Sequence, residues 1–170
     1  MRYVLKQKIW TLGSSFAIKN DAGVELGTVS GSVRHANEHM TFVDTQGTVY
    51  ATIRRFDAPD TNLTTERPGF EIRRGDDVAA TIRWIPHSVH GFRIDTMNHG
   101  NIVYNSDSGL TGRAYTMHRG DRLVAQVKEQ VALFGDEYFI DIGDNEDTVL
   151  LLCVAIVIDL VQEDWAAETK

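Results

Sequence analysis

The chain has a single cysteine, Cys153, and lacks the short motifs by which many enzyme sites are recognised. It has no phosphate-cradling P-loop, dinucleotide fingerprint, G-x-S-x-G elbow, H-E-x-x-H or paired C-x-x-C. Basic charge is in deficit: 17 Lys and Arg against 24 Asp and Glu leave a net charge of −7. General binding to nucleic acid or an anionic membrane wants a basic footprint and is disfavoured. The longest apolar run, Val149 to Ile158, is about half of the roughly 20 residues that cross a bilayer, so no stable membrane insertion is expected. No export signal or lipidation motif is readable at Met1-Arg2-Tyr3-Val4, which makes cytoplasmic residence the default. No catalytic residue, metal or cofactor follows from the pattern.

What the chain does have is a repeated hairpin. Alternating runs begin at Phe16, Met40, Phe70, Phe92, Tyr115 and Tyr138, and each leads to a turn glycine at 23, 47, 75, 100, 120 and 143. The starts fall about 22–30 residues apart, close to two strands of typical length plus two short turns. Within a run, Phe70 and Ile72 alternate with Glu71 and Arg73, and Ala80 and Ile82 with Thr81 and Arg83. A period of two puts one set inward and the other in water. An opening strand near Arg2–Trp10, five full hairpins and a last strand near Tyr138–Ile142 predict twelve strands in one domain, residues 1–170.

The sixth unit departs from the pattern. After Gly143 come Asp144, Asn145, Glu146, Asp147 and Thr148, then ten apolar residues without a break. Length favours a helix, assigned to 144–162, with Asp144 as N-cap and Glu146 and Asp147 in the first turn, where carboxylates meet the positive end of the helix dipole. A helix apolar on every side must be surrounded. Twelve closed strands leave a lumen that side chains alone do not fill. The expected fold is therefore a mainly β, twelve-stranded antiparallel closed barrel around a buried C-terminal hydrophobic helix, with 163–170 a polar tail.

The segments Tyr3-Val4-Leu5-Lys6-Gln7-Lys8, Phe16 to Gly23, Thr41 to Gly47 and Val154-Ala155-Ile156-Val157-Ile158-Asp159 together resemble the LURP-one-related family. That family belongs to the tubby-like superfamily with the phospholipid scramblases. The resemblance implies a twelve-stranded barrel closed around a C-terminal helix. For function it points toward a non-catalytic binding or scaffold module whose outer surface recognises a lipid headgroup or a protein partner. A scramblase-like membrane-active protein is the alternative.

Four constellations are candidates for chemistry. Arg54, Arg55, Arg73 and Arg74 carry guanidinium forks suited to phosphate or carboxylate, and they are the expected ligand-binding residues; solvated cross-strand pairs are the alternative. His35/His39 and His87/His90 have spacings that metal sites use but read as rim histidines. Asp141, Asp144, Glu146 and Asp147 lack the oxygen spacing of a calcium loop and read as capping charges. Asp159 is expected near the barrel mouth with water or backbone donors. The segment from Phe56 to Gly69 reads as a long loop.

Overall fold

The alternating runs become β1 (Arg2–Trp10), β2 (Gly13–Asn20), β3 (Glu25–Gly31), β4 (His39–Asp44), β5 (Val49–Pro59), β6 (Glu66–Arg74), β7 (Asp77–Trp84), β8 (Phe92–Thr96), β9 (Gly100–Ser106), β10 (Ala114–Arg119), β11 (Arg122–Ala132) and β12 (Gly135–Ile142). One helix, α1 (Thr148–Glu168), follows. The structure is a computed structural model that describes residues 1–10, 13–59, 66–84, 91–98, 100–106, 114–132 and 135–168. Every strand pairs antiparallel with its neighbours in sequence, and β1 closes the ring on β12 through Tyr3 opposite Ile140 and Leu5 opposite Tyr138. The expected twelve-stranded closed barrel is what forms.

Alternation fixes which face is which. Leu5, Phe16, Ile18, Met40, Ile72 and Ile94 point inward with 1% exposure or less. Their neighbours Lys6, Lys19, Arg93 and Asp95 point outward. Inside the wall, every residue of α1 from Leu150 to Asp159 is buried. Burying a Val, Leu or Ile side chain stabilises by about 1.5–3 kcal/mol, so the eight buried in α1 contribute on the order of 12–24 kcal/mol before entropy is counted. That exceeds the net stability of a typical domain, about 5–15 kcal/mol.

The two barrel mouths differ. At the lower mouth, where α1 begins, strands are joined by tight turns. Five of the six anticipated turn glycines there have positive φ, from 59° at Gly75 to 87° at Gly47; at the sixth turn Asn145, with φ 63°, takes that role instead of Gly143. Register shifts fall beside four of these turns, at Ile18/Lys19, Phe42/Val43, Ile72/Arg73 and Met117/His118. Such bulges bend strands and raise their twist at a barrel rim. At the upper mouth the connections range from two residues, at 11–12 and 133–134, to longer stretches; 11–12, 60–65, 85–90, 107–113 and 133–134 lie outside the described residues, and with them His87 and His90.

Four expectations are corrected. The helix runs Thr148–Glu168 rather than 144–162, because the turn at Asn145 carries Glu146 and Asp147 past the lower mouth before the helix starts. Asp147, not Asp144, is the N-cap: its Oδ1 accepts the Leu150 amide at 3.1 Å. Residues 163–168 continue the helix instead of forming a separate polar tail. The Phe56–Gly69 segment is mostly strand, since Phe56 pairs with Gly69, Asp57 with Pro68 and Pro59 with Glu66.

Cys153 reports on the plug. It is fully buried, and burial pushes its thiol up to about 12. In native buffer at pH 8 a thiol-reactive dye is expected to label Cys153 only as fast as the protein unfolds, with rapid labelling in denaturant. Fast labelling of the native protein would mean that α1 leaves the barrel.

Candidate functional site

The four arginines go to three places. Arg54 projects from the outer wall on β5 opposite Glu71 of β6, and its Nη2 donates to Asn37 Oδ1 at 3.0 Å. Arg73 lies on the same outer face, its Nε 3.1 Å from Glu71 Oε2. Arg55 is at the upper mouth, where its Nη1 donates to the carbonyls of Val33, at 3.1 Å, and Arg34, while its Nε is 3.1 Å from Asp57 Oδ1. It latches the connection between β3 and β4 onto β5. Arg74 is at the lower mouth, paired with the helix cap Asp147. Only Arg54 and Arg73 are brought onto one face, with Glu71 between them.

Three of the four residues of the acidic stretch, Asp141, Glu146 and Asp147, are engaged at the lower mouth. Asp141 forms a two-pronged pair with Arg2, at 2.8 and 2.9 Å, which holds its carboxyl below the usual range. Glu146, with a side chain only 5% exposed, accepts from Arg119 Nη1 at 2.7 Å and Arg122 Nη2 at 2.6 Å. Charges from two hairpin turns thus clamp the start of α1. Among the described residues no three His, Cys, Asp or Glu side chains gather where a metal could sit. His35 contributes a backbone amide, 3.1 Å from Glu38 Oε2, to the β3–β4 connection.

A polar cluster inside the upper mouth was not anticipated from the sequence. Asp159 is 5% exposed, deeper than expected, and lies beside Tyr115 and Tyr138. The Tyr138 hydroxyl lies between two carboxylates, hydrogen-bonded to Asp159 and 3.5 Å from Glu129 Oε1. Tyr115 donates to the Ala155 carbonyl at 3.3 Å, and Tyr104 accepts from Gln162 Nε2 at 2.8 Å. Gln7, 4% exposed, donates to Glu163 Oε2 at 3.2 Å. Burial raises all three phenols above their ordinary value of 10.0, with the Asp159 charge adding at Tyr115 and Tyr138. The signal for this cluster is the inward parity of Gln7 after Tyr3 and Leu5, and of Tyr104 after Ile102: polar tips on the buried face at the upper ends of strands.

Space beside this cluster is small. A cavity of about 50 Å³ lies among Gly13, Ser14, Gly31, Ser32, Arg34 and Glu163. That holds a water or two, far below the roughly 300–1,000 Å³ of small-molecule sites. The tyrosine cluster docks the polar end of α1 in the upper mouth.

Residues 1–159 match the family model described as LURP-one-related. No curated protein and no solved structure matches the chain.

Two outcomes follow from the mouths. Glu146→Gln leaves the half-buried Arg119 without its charge partner, and losses of this kind cost about 3 kcal/mol; thermal melting is expected to fall by about 6–12 °C. For the phenols, a raised folded pKa means their contribution is complete below pH 10 and is lost as pH rises beyond it, because the unfolded chain ionises first. Each contributes about 1.36 kcal/mol per pH unit, so stability measured by denaturant titration should fall by up to about 4 kcal/mol per unit above pH 10. Tyr138→Phe is expected to flatten that slope by about a third; an unchanged slope would remove Tyr138 from the linkage.

Proposed function

The chain belongs to the LURP-one-related family, and on that footing we propose that it is a non-catalytic binding or scaffold module recognising a protein partner or a lipid headgroup on its outer surface. The observation that carries this reading is the filled interior. α1 occupies the lumen where a wide barrel would otherwise hold a ligand, so contacts with other molecules fall on the wall and rims. Arg54 and Arg73, which share one outer face, are the ligand-binding candidates best placed for this; Arg55 and Arg74 are occupied in holding the two mouths.

A scramblase-like role is the second reading, and it needs α1 in the membrane. No described helix is long and apolar enough to cross one. Outward strand positions such as Lys6, Lys19, Arg54, Glu71 and Arg93 are charged, the inverse of the apolar band that a lipid-facing barrel presents. Withdrawing α1 forfeits the burial that dominates the fold.

Vesicle flotation with and without phosphoinositide tests both readings when Cys153 labelling is followed in the same samples. Cys153 is expected to stay protected in the presence of vesicles. Co-flotation that is lost in Arg54→Gln/Arg73→Gln assigns a headgroup ligand, and absence of flotation assigns a protein partner. Rapid labelling of Cys153 on vesicles, accompanied by lipid transfer between leaflets, would overturn the module reading in favour of the membrane-active one.

A further inference from the structure

Charged residues on the outer wall mostly face an opposite charge across the strand: Arg2 faces Asp141, Lys6 faces Glu137 and Arg54 faces Glu71. At the lower mouth Arg119 faces Arg122, and Glu146 bonds both. Arg83 of β7 and Arg93 of β8 are different. They stand directly opposite each other on the exposed face, an arrangement that destabilises a sheet. One carboxylate, Asp95, approaches Arg93 at 3.0 Å. The Arg83 guanidinium lies over the Phe56 ring, 5.1 Å from its centroid. That ring rests on Gly69, where an added Cβ would come within 2.5 Å of it. Stacking on an aromatic face holds a guanidinium in place while leaving its edge free to bind.

The register extends this pair into a strip. Arg93 faces Val103 of β9, Val103 faces His118 of β10, and His118 faces Leu123 of β11. Val103 is 51% exposed and Leu123 48%. The row Leu123, His118, Val103, Arg93, Arg83 contains no carboxylate, in a chain of net charge −7. It crosses five strands, about 19 Å at 4.8 Å per step, the reach of about six residues of extended chain.

We propose that this strip docks an extended acidic peptide segment of a partner protein, with its carboxylates on Arg83 and Arg93 and its apolar side chains on Val103 and Leu123. This deepens the outer-surface binding reading and rests on it. A single headgroup would engage the two guanidiniums and leave the apolar half of the strip unused, whereas an alternating acidic and apolar segment uses both halves.

The test is selection of a random dodecapeptide display library on the intact protein, followed by fluorescence anisotropy with the recovered peptides. Recovered sequences are expected to be rich in Asp, Glu and large apolar residues. Their binding should weaken at least tenfold in Arg83→Gln/Arg93→Gln and in Val103→Ser, and stay within twofold in Lys19→Gln on β2. Arg93→Gln alone relieves the repulsion with Arg83 without placing a second carboxylate beside Asp95, so its melting temperature should match the parent's while the peptide is lost, which separates binding from folding. Recovery of no peptide, of non-acidic peptides, or of peptides indifferent to Arg83 and Arg93 overturns the proposal. Peptides lost only with Arg54 and Arg73 overturn it too while leaving the broader module reading intact. Vesicle flotation that depends on Arg83 and Arg93 would assign the pair to a headgroup instead.

Discussion

The enclosure of α1 by the strands is the constraint from which the rest of the molecule follows. A helix buried on every side from Leu150 to Asp159 has no amphipathic solution and cannot sit on the surface of a sheet. A ring of twelve strands has the reciprocal problem, a lumen too wide for its own side chains to fill. Each is the other's missing core. The inward row of Leu5, Phe16, Ile18, Met40 and Ile72 packs against the helix in one continuous apolar cluster. Because the ring closes, it presents no unpaired strand edge for other chains to extend.

Among the described residues polarity enters this interior at its ends, and differently at each. At the lower mouth, Glu146 and Asp147 are held by arginines from hairpin turns, which fixes where the helix begins. At the upper mouth, Asp159, Gln162 and Glu163 meet inward-facing Tyr138, Tyr104 and Gln7. A helix sliding by one turn would carry Asp159 away from these hydroxyls into the apolar wall. Leaving a buried acceptor unsatisfied costs about 1–3 kcal/mol, more when it is charged. The apolar contacts supply the bulk of the stability and tolerate small shifts; the polar ends specify the depth at which the plug sits.

The strands were legible because alternation and turn chemistry agree. Phe70-Glu71-Ile72-Arg73 followed by Gly75 admits one pairing, and that pairing forms. The Phe56–Gly69 segment has the Asp, Thr, Asn and Pro content of a loop, while its pairing comes from strands β5 and β6 extending the ladder upward. Asp144 and Asp147 are both acceptable caps by composition. The choice between them rests on the left-handed turn at Asn145, a backbone event with no distinct signature in a run of acidic residues. The arginines were the least legible. Arg54 and Arg55 are adjacent in sequence but alternate between wall and mouth, and the bulge at Ile72/Arg73 shifts the partners of Arg73 and Arg74. Doublets of like charge in a strand cannot form one patch, because consecutive side chains leave opposite faces.

This division between a filled interior and a charged exterior also explains how the wall can carry an arrangement that works against the sheet. Opposed like charges weaken a strand pair by about 0.2–1 kcal/mol. Against roughly 12–24 kcal/mol of helix burial, the juxtaposition of Arg83 and Arg93 is a small term that the fold absorbs. Cores of this kind release the surface from the duty of stabilising the protein. Outward positions are then free to hold residues whose best partner lies outside the chain. In a closed barrel those positions cannot reach one another through the interior, so a recognition surface must be assembled laterally, strand by strand along the register. The unit of function on such a wall is therefore the cross-strand row, and its members, like Leu123 and Arg83, are scattered in sequence while contiguous in space.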